Sequence, residues 1–294
     1  MKLLTFSNAN GGPRVGLADS GGTVVRDLSG TVPPGVTLLD VVREWDAYEP
    51  KLAAAEGLDE YPISEVTVHA PFPVPNRDIF CVGKNYSEHV KEFGRSGYDS
   101  PDRSEALPEA PVVFPKMTTS VTGPYDDIQP HSSITKELDY EAELGVIIGR
   151  GGRGITREDA FQHVWGYTII DDFTARDLQR KHKQWLLGKS LDTHCPMGPF
   201  AVTRDEVADP AELQVQSWVN GELRQDGNVS DLIFDIPELI VTISAGITLQ
   251  TGDIIATGTP VGVGIGFDPP RFMKSGDVIE VAITGLGAQR NRIA

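Results

Sequence analysis

Two glutamates separated by one residue stand at the start of an apolar segment. Glu141 and Glu143 lead into residues 144–148, whose composition is that of a buried β-strand. Because residues two apart on a strand share a face, the two carboxylates would project side by side. Carboxylates that close repel, so one would stay protonated unless a hard divalent cation bound both. An edge strand with two solvated glutamates is the alternative that this segment leaves open.

A third carboxylate follows a second apolar run. Residues 166–170 predict another strand, and Asp171 and Asp172 stand where that strand ends. Adjacent strand residues face opposite ways, so only one of the two can join the glutamates. We expect Asp172 to join them, with Asp171 as its rival. The sequence therefore predicts a three-carboxylate site for Mg²⁺ or Mn²⁺, with Ca²⁺ as a substitute.

The helix predicted after this strand has a start signal of its own. Thr174 and Asp177 have the spacing of a capping box, in which two side chains bond to the first backbone N–H groups of a helix. We therefore expect the helix to begin at Thr174.

A histidine and a glutamate have helical spacing nearer the N-terminus. His89 and Glu92 are three residues apart, so they share one face of a helix. A carboxylate beside an imidazole orients it and makes it a better base. The alternative is an ordinary surface pair. The surrounding residues 86–110 are polar and contain Gly and Pro, which predicts a lid that is mobile without ligand, or else an insertion with no role.

Four ordered motifs resemble those of the fumarylacetoacetate hydrolase superfamily. They are E-x-E-L at 141–144, D-x-T-A-R-D at 172–177, G-K-x-x-D-T-x-C-P-x-G-P at 188–199 and T-G-T-P-x-G-V-G at 257–264. The resemblance extends roughly from Asp78 to the C-terminus. It implies a mixed, β-dominated α+β fold with a rolled, barrel-like catalytic domain, a homodimer, and a small 2-oxo acid as substrate.

The resemblance also assigns roles to residues. It implies that His89 and Glu92 form a catalytic dyad and that Lys189 stabilises oxyanionic charge. The residues expected to contact substrate are Gln179, Thr259, Tyr86 and Gly258. Among them, Thr259 matches a residue that binds the substrate's carboxylate, although a purely structural loop is an alternative for this glycine-rich stretch.

Two basic residues receive weaker assignments. Lys116 is followed by Met117, whereas the family often has Lys-Pro, and this departure weakens any role for Lys116. Arg176 is expected to be structural, pairing with a carboxylate.

Composition bounds the partners and the compartment. The chain has 294 residues and a formal net charge of −16, which opposes binding to nucleic acid or to anionic membranes. No apolar run reaches the ~20 residues that span a bilayer, and no signal segment is evident, so we expect a cytoplasmic protein. Cys81 and Cys195 lack the spacing of a thiolate zinc site.

Prolines suggest where the chain divides. Pro62, Pro71, Pro73 and Pro75 punctuate a linker-like stretch, so we place a boundary at residue 72. Residues 1–72 would form a small N-terminal β/α domain and residues 73–294 the catalytic domain. Within the latter, Asn220-Gly221 predicts a hairpin turn, and Asp235 predicts the start of a helix.

Three reactions of 2-oxo acids share an enolate, and the sequence ranks them. Hydrolysis of a C–C bond in an acylpyruvate or other 2,4-dioxo acid comes first. Decarboxylation or tautomerisation of oxaloacetate, and isomerisation of an unsaturated oxo-diacid in aromatic catabolism, are the alternatives. A catalytically inactive binding protein of the same fold is a hypothesis of another class. The absence of G-x-S-x-G and H-E-x-x-H motifs disfavours a serine hydrolase or a zincin.

Overall fold

The chain folds around β-sheet, and the computed structural model describes residues 1–9, 11–96 and 107–294. Its strands are β1 (Lys2–Asn8), β2 (Gly11–Ala18), β3 (Val24–Asp27), β4 (Glu60–Pro62), β5 (Thr67–His69), β6 (Ile79–Gly83), β7 (Val112–Lys116), β8 (Val121–Thr122), β9 (Leu138–Asp139), β10 (Ala142–Ile148), β11 (Val164–Asp171), β12 (Thr174–Ala175), β13 (Cys195–Pro196), β14 (Ala201–Thr203), β15 (Gln214–Val219), β16 (Glu222–Asn228), β17 (Ile254–Ala256), β18 (Val278–Ile283) and β19 (Gly287–Arg292). Its α-helices are α1 (Leu38–Arg43), α2 (Trp45–Ala53), α3 (Ser87–Ser96), α4 (Arg176–His182), α5 (Leu186–Lys189) and α6 (Ile236–Ser244).

An eleven-stranded sheet contains the strands that carry the predicted carboxylates. Its order is β4-β3-β2-β1-β14-β11-β10-β17-β6-β7, with β5 paired to β1. Strand β10 lies inside the sheet between β11 and β17, and every residue of β10 and β11 is buried. Strands covered on both faces are expected to be apolar along their whole length, as residues 144–148 are.

The register of β10 against β11 positions the acidic residues. The two strands are antiparallel, and Ala142 pairs with Asp171. The beginning of β10 therefore lies beside the end of β11. This pairing brings Glu141 and Glu143 next to Asp172, although these residues are well separated in sequence.

A second, four-stranded antiparallel sheet has the order β16-β15-β18-β19. Its hairpin turns at Asn220-Gly221, where both residues have positive φ, at 52° and 81°. Such angles are those of a two-residue hairpin turn, so the sequence prediction is confirmed.

The fold class is confirmed as a strand-dominated α+β arrangement. Within the described residues the large sheet is open and ends at β4 and β7, so the rolled architecture is not a closed barrel. Residues 1–72 supply β1 to β5 of this sheet, and Leu3 of β1 pairs with Ala201 of β14. The domain boundary at residue 72 remains a prediction. None of the described helices is long and apolar enough to cross a membrane.

The two predicted helix starts had different outcomes. Asp235 caps α6 by accepting a hydrogen bond from the N–H of Glu238 at 3.0 Å, as predicted. The capping box of Thr174 and Asp177 is wrong, because α4 begins two residues later, at Arg176, with no side-chain cap. The Thr174 hydroxyl instead donates to the carbonyl of Asp172 at 3.0 Å. The carboxylate of Asp177 accepts from Thr135 at 2.6 Å.

Candidate active site

Three buried carboxylates meet where β10 begins and β11 ends. Each of Glu141, Glu143 and Asp172 contributes one oxygen to a group whose members all lie within 4.8 Å of one another. The side chain of Asp171 faces away and accepts a hydrogen bond from the backbone N–H of Glu141 at 2.8 Å. The structure therefore brings together the three residues that the sequence selected and places the rival Asp171 behind them.

Three buried cations surround this cluster. The Lys189 ammonium lies 2.6 Å from Glu141 and 2.7 Å from Asp172. Lys116 lies 2.7 Å from the other oxygen of Asp172. The Arg176 guanidinium lies 2.6 Å from Glu141 and 2.9 Å from Asp139, so the expected pairing of Arg176 with a carboxylate is present.

The surroundings of Glu141 and Glu143 shift the pKa values of these two residues in opposite directions. Burial alone would raise the pKa of Glu141, but Lys189 and Arg176 outweigh it and lower that pKa to about 2. Burial raises the pKa of Glu143 well above its usual range, and the carboxylates of Asp172 and Glu141 raise it further. One charged and one protonated glutamate is the outcome expected for carboxylates crowded together in a protein interior.

The cluster fits a hard divalent cation. All of its donors are carboxylate oxygens, the ligands that Mg²⁺, Mn²⁺ and Ca²⁺ prefer. A bound cation would also relieve the repulsion that keeps a proton on Glu143. We therefore regard Glu141, Glu143 and Asp172 as the side chains that would hold it.

The predicted dyad lies on helix α3 and faces this cluster. His89 Nδ1 and Glu92 Oε2 are 3.0 Å apart, and the two side chains are only 5% and 9% exposed. The other Glu92 oxygen accepts a hydrogen bond from the backbone N–H of Gly262 at 3.0 Å. The alternative of a solvated surface pair is wrong, because the pair is buried against the glycine-rich loop.

The first part of the predicted lid, residues 86–110, is helical. Residues 87–96 form α3, which packs against the loop at Gly264–Gly266. Residues 97–106 lie outside the described residues, so the predicted mobility of the segment remains a prediction.

The loop that follows β17 supports the carboxylates. The N–H of Gly258, which we expected at the substrate, donates to Glu143 at 2.8 Å. Gly258 has φ of +104°, and a Cβ there would press on Asn85, so only glycine fits. Further along, the N–H groups of Gly264 and Ile265 donate to Asp139 at 2.6 and 3.0 Å.

A small cavity of about 20 Å³ lies between helix α3 and the carboxylates. It is lined by Val82, Gly83, Lys84, His89, Phe93, Phe114, Glu141, Glu143, Arg176, Gln179, Trp185, Lys189 and Thr259. Two of the four residues expected to contact substrate, Gln179 and Thr259, therefore line this cavity, and their contact with substrate remains a prediction. Tyr86 does not line the cavity, and its buried hydroxyl has no partner in the described part of the chain.

The family can be identified at this point. A model of the fumarylacetoacetate (FAA) hydrolase C-terminal family matches residues 78–294. The chain belongs to this family. The match begins where the resemblance of the motifs begins, and it includes every residue of the cluster and the dyad.

The names of similar proteins within the family state more than one activity. The oxaloacetate tautomerase YisK of Bacillus subtilis is 53% identical over 79% of this chain and 75% of its own length. A fumarylacetoacetate hydrolase of Exiguobacterium antarcticum is 41% identical, has a TM-score of 0.86, and the alignment covers 100% of this chain and 99% of its own. A maleylpyruvate hydrolase of Sphingobium sp. SYK-6, solved with manganese(II) and pyruvate, is 31% identical with a TM-score of 0.79 and covers the same shares.

These comparisons identify the chain as an enzyme of the fumarylacetoacetate hydrolase family and leave its reaction to be inferred. The first-ranked C–C hydrolysis is not confirmed, because the YisK relative is a tautomerase.

Two buried charged residues beside the cluster were not predicted as site residues, because the sequence supported only a weakened role for Lys116 and none for Asp139. Lys116 is fully buried, and besides Asp172 its ammonium binds the carbonyl groups of Phe173, at 3.0 Å, and of Lys189. The signal in the sequence for a buried Lys116 was its position at the end of β7, a strand whose other residues are apolar. Asp139 is also fully buried and ties Arg176 to the glycine-rich loop. Its alternation with Glu141 and Glu143 was the signal, since all three are spaced by two.

Proposed function

We propose that this enzyme is an oxaloacetate tautomerase, which interconverts the keto and enol forms of the acid with the help of a divalent cation. The observation that carries the proposal is the burial of the His89–Glu92 pair, with His89 lining the same small cavity as Glu141 and Glu143. A tautomerase needs a base beside a site that accepts a 2-oxo acid. The similarity to YisK favours oxaloacetate as that acid.

His89 would move the proton. In keto-to-enol conversion the C3–H bond breaks, its electron pair forms the C2–C3 double bond, and the oxygen on C2 gains a proton. Glu92 holds Nδ1 of His89, so Nε2 is the nitrogen that can take the C3 proton. The carboxylate of Glu92 then stabilises the imidazolium that forms.

The negative charge that develops on the substrate oxygens must be stabilised by positively charged groups. A divalent cation held by Glu141, Glu143 and Asp172 would act as a Lewis acid that increases the acidity of the C3 protons. Lys189 bridges two of these carboxylates, and its ammonium can turn toward developing negative charge on the substrate. Gln179 lies on the same wall, where Arg176 donates to its amide oxygen at 3.3 Å.

Helix α3 would act as a lid that excludes water from the active site during the reaction. With α3 against the glycine-rich loop, the space left between His89 and the carboxylates is about 20 Å³, which holds one water molecule at most. Substrate entry therefore requires α3 to move away. Its return would exclude solvent from the enolate and bring the imidazole to C3.

Hydrolysis of an acylpyruvate is the second candidate. Space for one water beside His89 is the observation that favours it, because a hydrolase must activate a single water molecule at this position. The similarity to a maleylpyruvate hydrolase gives it further support.

A turnover screen separates the two. Purified enzyme with Mn²⁺ or Mg²⁺ should accelerate ketonisation of enol-oxaloacetate, followed by its ultraviolet absorbance, more than it accelerates cleavage of any acylpyruvate. A control with chelator should abolish the acceleration. Rapid cleavage of an acylpyruvate, with no effect on oxaloacetate, would establish the second candidate instead.

We also propose that the chain forms a homodimer and acts in the cytoplasm. Support for the dimer comes from the family resemblance and from the sheet edges at β4 and β7, which a partner could cover. Light scattering at micromolar concentration tests it. A mass of 31.9 kDa, that of one chain, at every concentration would contradict the dimer.

A further inference from the structure

A buried glutamine joins the two halves of the active site. Gln225 lies on β16 of the four-stranded sheet and is fully buried. Its amide reaches out of that sheet to the start of β10, on one side, and to the loop containing Thr259, on the other. The first contains the predicted cation ligands, and the second borders the cavity.

The amide of Gln225 makes four hydrogen bonds within the described residues. Its oxygen accepts from the backbone N–H of Ala142 at 3.1 Å and from the Ser217 hydroxyl at 2.9 Å. Its nitrogen donates to the Thr259 hydroxyl at 2.6 Å and to the carbonyl of Pro260 at 2.8 Å. The N–H of Ala142 can only donate and the carbonyl of Pro260 can only accept, so the orientation of the amide is fixed.

The fixed amide in turn fixes the hydroxyl of Thr259. Because Gln225 donates to that hydroxyl, the hydroxyl directs its own proton to the carbonyl of Ala142, at 2.9 Å. A carboxylate can only accept hydrogen bonds, so the Thr259 hydroxyl cannot serve as its donor. The backbone N–H of Thr259, which donates to no acceptor within the described residues, is the group left to bind a substrate carboxylate.

The same amide holds the residue between two predicted ligands. Ala142 separates Glu141 from Glu143, and both its N–H and its carbonyl are tied into the network, through Gln225 and Thr259. Three side-chain hydrogen bonds therefore tie the start of β10 to the loop containing Thr259, in addition to the bond from Gly258 to Glu143 and the pairing of β10 with β17.

We infer that Gln225 is a positioning residue that acts through Thr259 to present the backbone N–H of Thr259 to the carboxylate of a 2-oxo acid. The inference rests on the proposed function in one respect, that the substrate is such an acid. It adds that the side chain of Thr259 serves as a tether and not as a substrate ligand.

The chain contains a matched control for Gln225. Gln289 is 1% exposed and belongs to the same four-stranded sheet, on β19. Its amide oxygen and nitrogen have no hydrogen-bond partner within the described residues. Gln289→Met and Gln225→Met thus make the same chemical change at the same burial, and only the second removes a hydrogen-bond network.

The test is a double-mutant cycle on pyruvate binding, with wild type, Gln225→Met, Thr259→Val and the double variant. Calorimetry would give the pyruvate Kd at saturating Mn²⁺, and circular dichroism would check the fold. Each single variant should raise Kd by ~10-fold or more, since a misplaced donor loses its bond to the carboxylate. The Kd of the double variant should be no higher than that of the single variant that binds pyruvate less tightly, because both changes break the same tether. Gln289→Met should bind within about twofold of wild type.

Several outcomes would overturn the inference. They are a folded Gln225→Met with wild-type pyruvate affinity, additive effects in the cycle, and a wild type that binds no pyruvate with Mn²⁺. If Gln225→Met does not fold, the cycle is run with Gln225→Glu, which keeps the acceptor facing Ala142 and loses the donor to Thr259 and Pro260. Pyruvate binding needs no turnover, so a wild type that binds pyruvate but does not tautomerise oxaloacetate would contradict the proposed function alone.

Discussion

The carboxylate of Glu92 accepts a hydrogen bond from the backbone N–H of Gly262 at 3.0 Å while its other oxygen holds His89. One side chain therefore orients the predicted base and also fastens helix α3 to the glycine-rich loop. The orientation of His89 and the packing of α3 on that loop thus depend on the same carboxylate. A substitution that prevents this docking should affect turnover and leave the carboxylates in place.

Gly266 tests this coupling, because a Cβ at that position would overlap the carboxylate of Glu92. Gly266→Ala should hold the lid open and lower kcat/KM for oxaloacetate by ~10-fold or more, as expected when a catalytic base is misplaced. The Mn²⁺ affinity should not change. Gly246→Ala is the control, since a Cβ there meets nothing within 4 Å. Wild-type kcat/KM in Gly266→Ala would show that closure does not depend on this contact.

Glu143 should make cation binding depend on pH. Burial and the neighbouring carboxylates raise its pKa, so it holds a proton that a cation must displace. The Mn²⁺ affinity of the wild type should therefore rise as pH rises. Glu143→Gln should weaken that affinity by more than ~10-fold and flatten its pH dependence. Calorimetric titrations from pH 6 to pH 8, with the strand substitution Glu280→Gln as control, would measure both. Equal pH slopes in wild type and Glu143→Gln would remove Glu143 from the site.

When no divalent cation is bound, the positive charge of Lys116 should stabilise the fold. It is fully buried against Asp172, so Lys116→Met leaves a buried carboxylate without that partner and should cost about 3–5 kcal/mol of folding free energy. A divalent cation supplies the missing positive charge. Saturating Mn²⁺ should therefore raise Tm more in Lys116→Met than in wild type, whereas exposed Lys91→Met should match wild type. If Mn²⁺ raises both melting temperatures equally, Asp172 does not contact the cation.

Pairs of residues that lie close together in the sequence could be predicted, whereas pairs that lie far apart in the sequence could not. Glu141 with Glu143, and His89 with Glu92, are two and three residues apart, so strand and helix periodicity alone places each pair on one face. Gln225 contacts Ala142 across 83 residues of sequence, and no periodicity relates two different sheets. Lys116 and Asp172 likewise meet although β7 and β11 are several strands apart in the large sheet, and no periodicity of the sequence predicts that contact.

Asp171 should make the stability of the cation-free enzyme fall with rising pH. Burial raises its pKa from an ordinary 3.8 to about 7. The folded protein then holds a proton that the unfolded chain has lost, so this contribution to stability is complete below pH 3.8 and is lost as pH rises through 7. Asp171→Asn keeps the acceptor for the N–H of Glu141 and cannot ionise.

Denaturant unfolding in chelator at pH 5 and pH 8 would measure this effect. The wild type should lose on the order of 2–3 kcal/mol more than Asp171→Asn over that interval. If the two proteins lose the same amount, Asp171 is already ionised in the folded state at pH 5.

The rate of oxaloacetate tautomerisation in His89→Ala, at saturating Mn²⁺, shows whether His89 moves the proton. We predict that Mn²⁺ affinity stays close to wild type, since His89 is not one of the predicted cation ligands, while the catalysed rate falls by ~10²-fold or more with the loss of the base. Glu88→Gln, on the exposed side of the same helix, should keep the wild-type rate. A His89→Ala enzyme that binds Mn²⁺ and tautomerises oxaloacetate at the wild-type rate would contradict the assignment of His89 as the group that moves the proton.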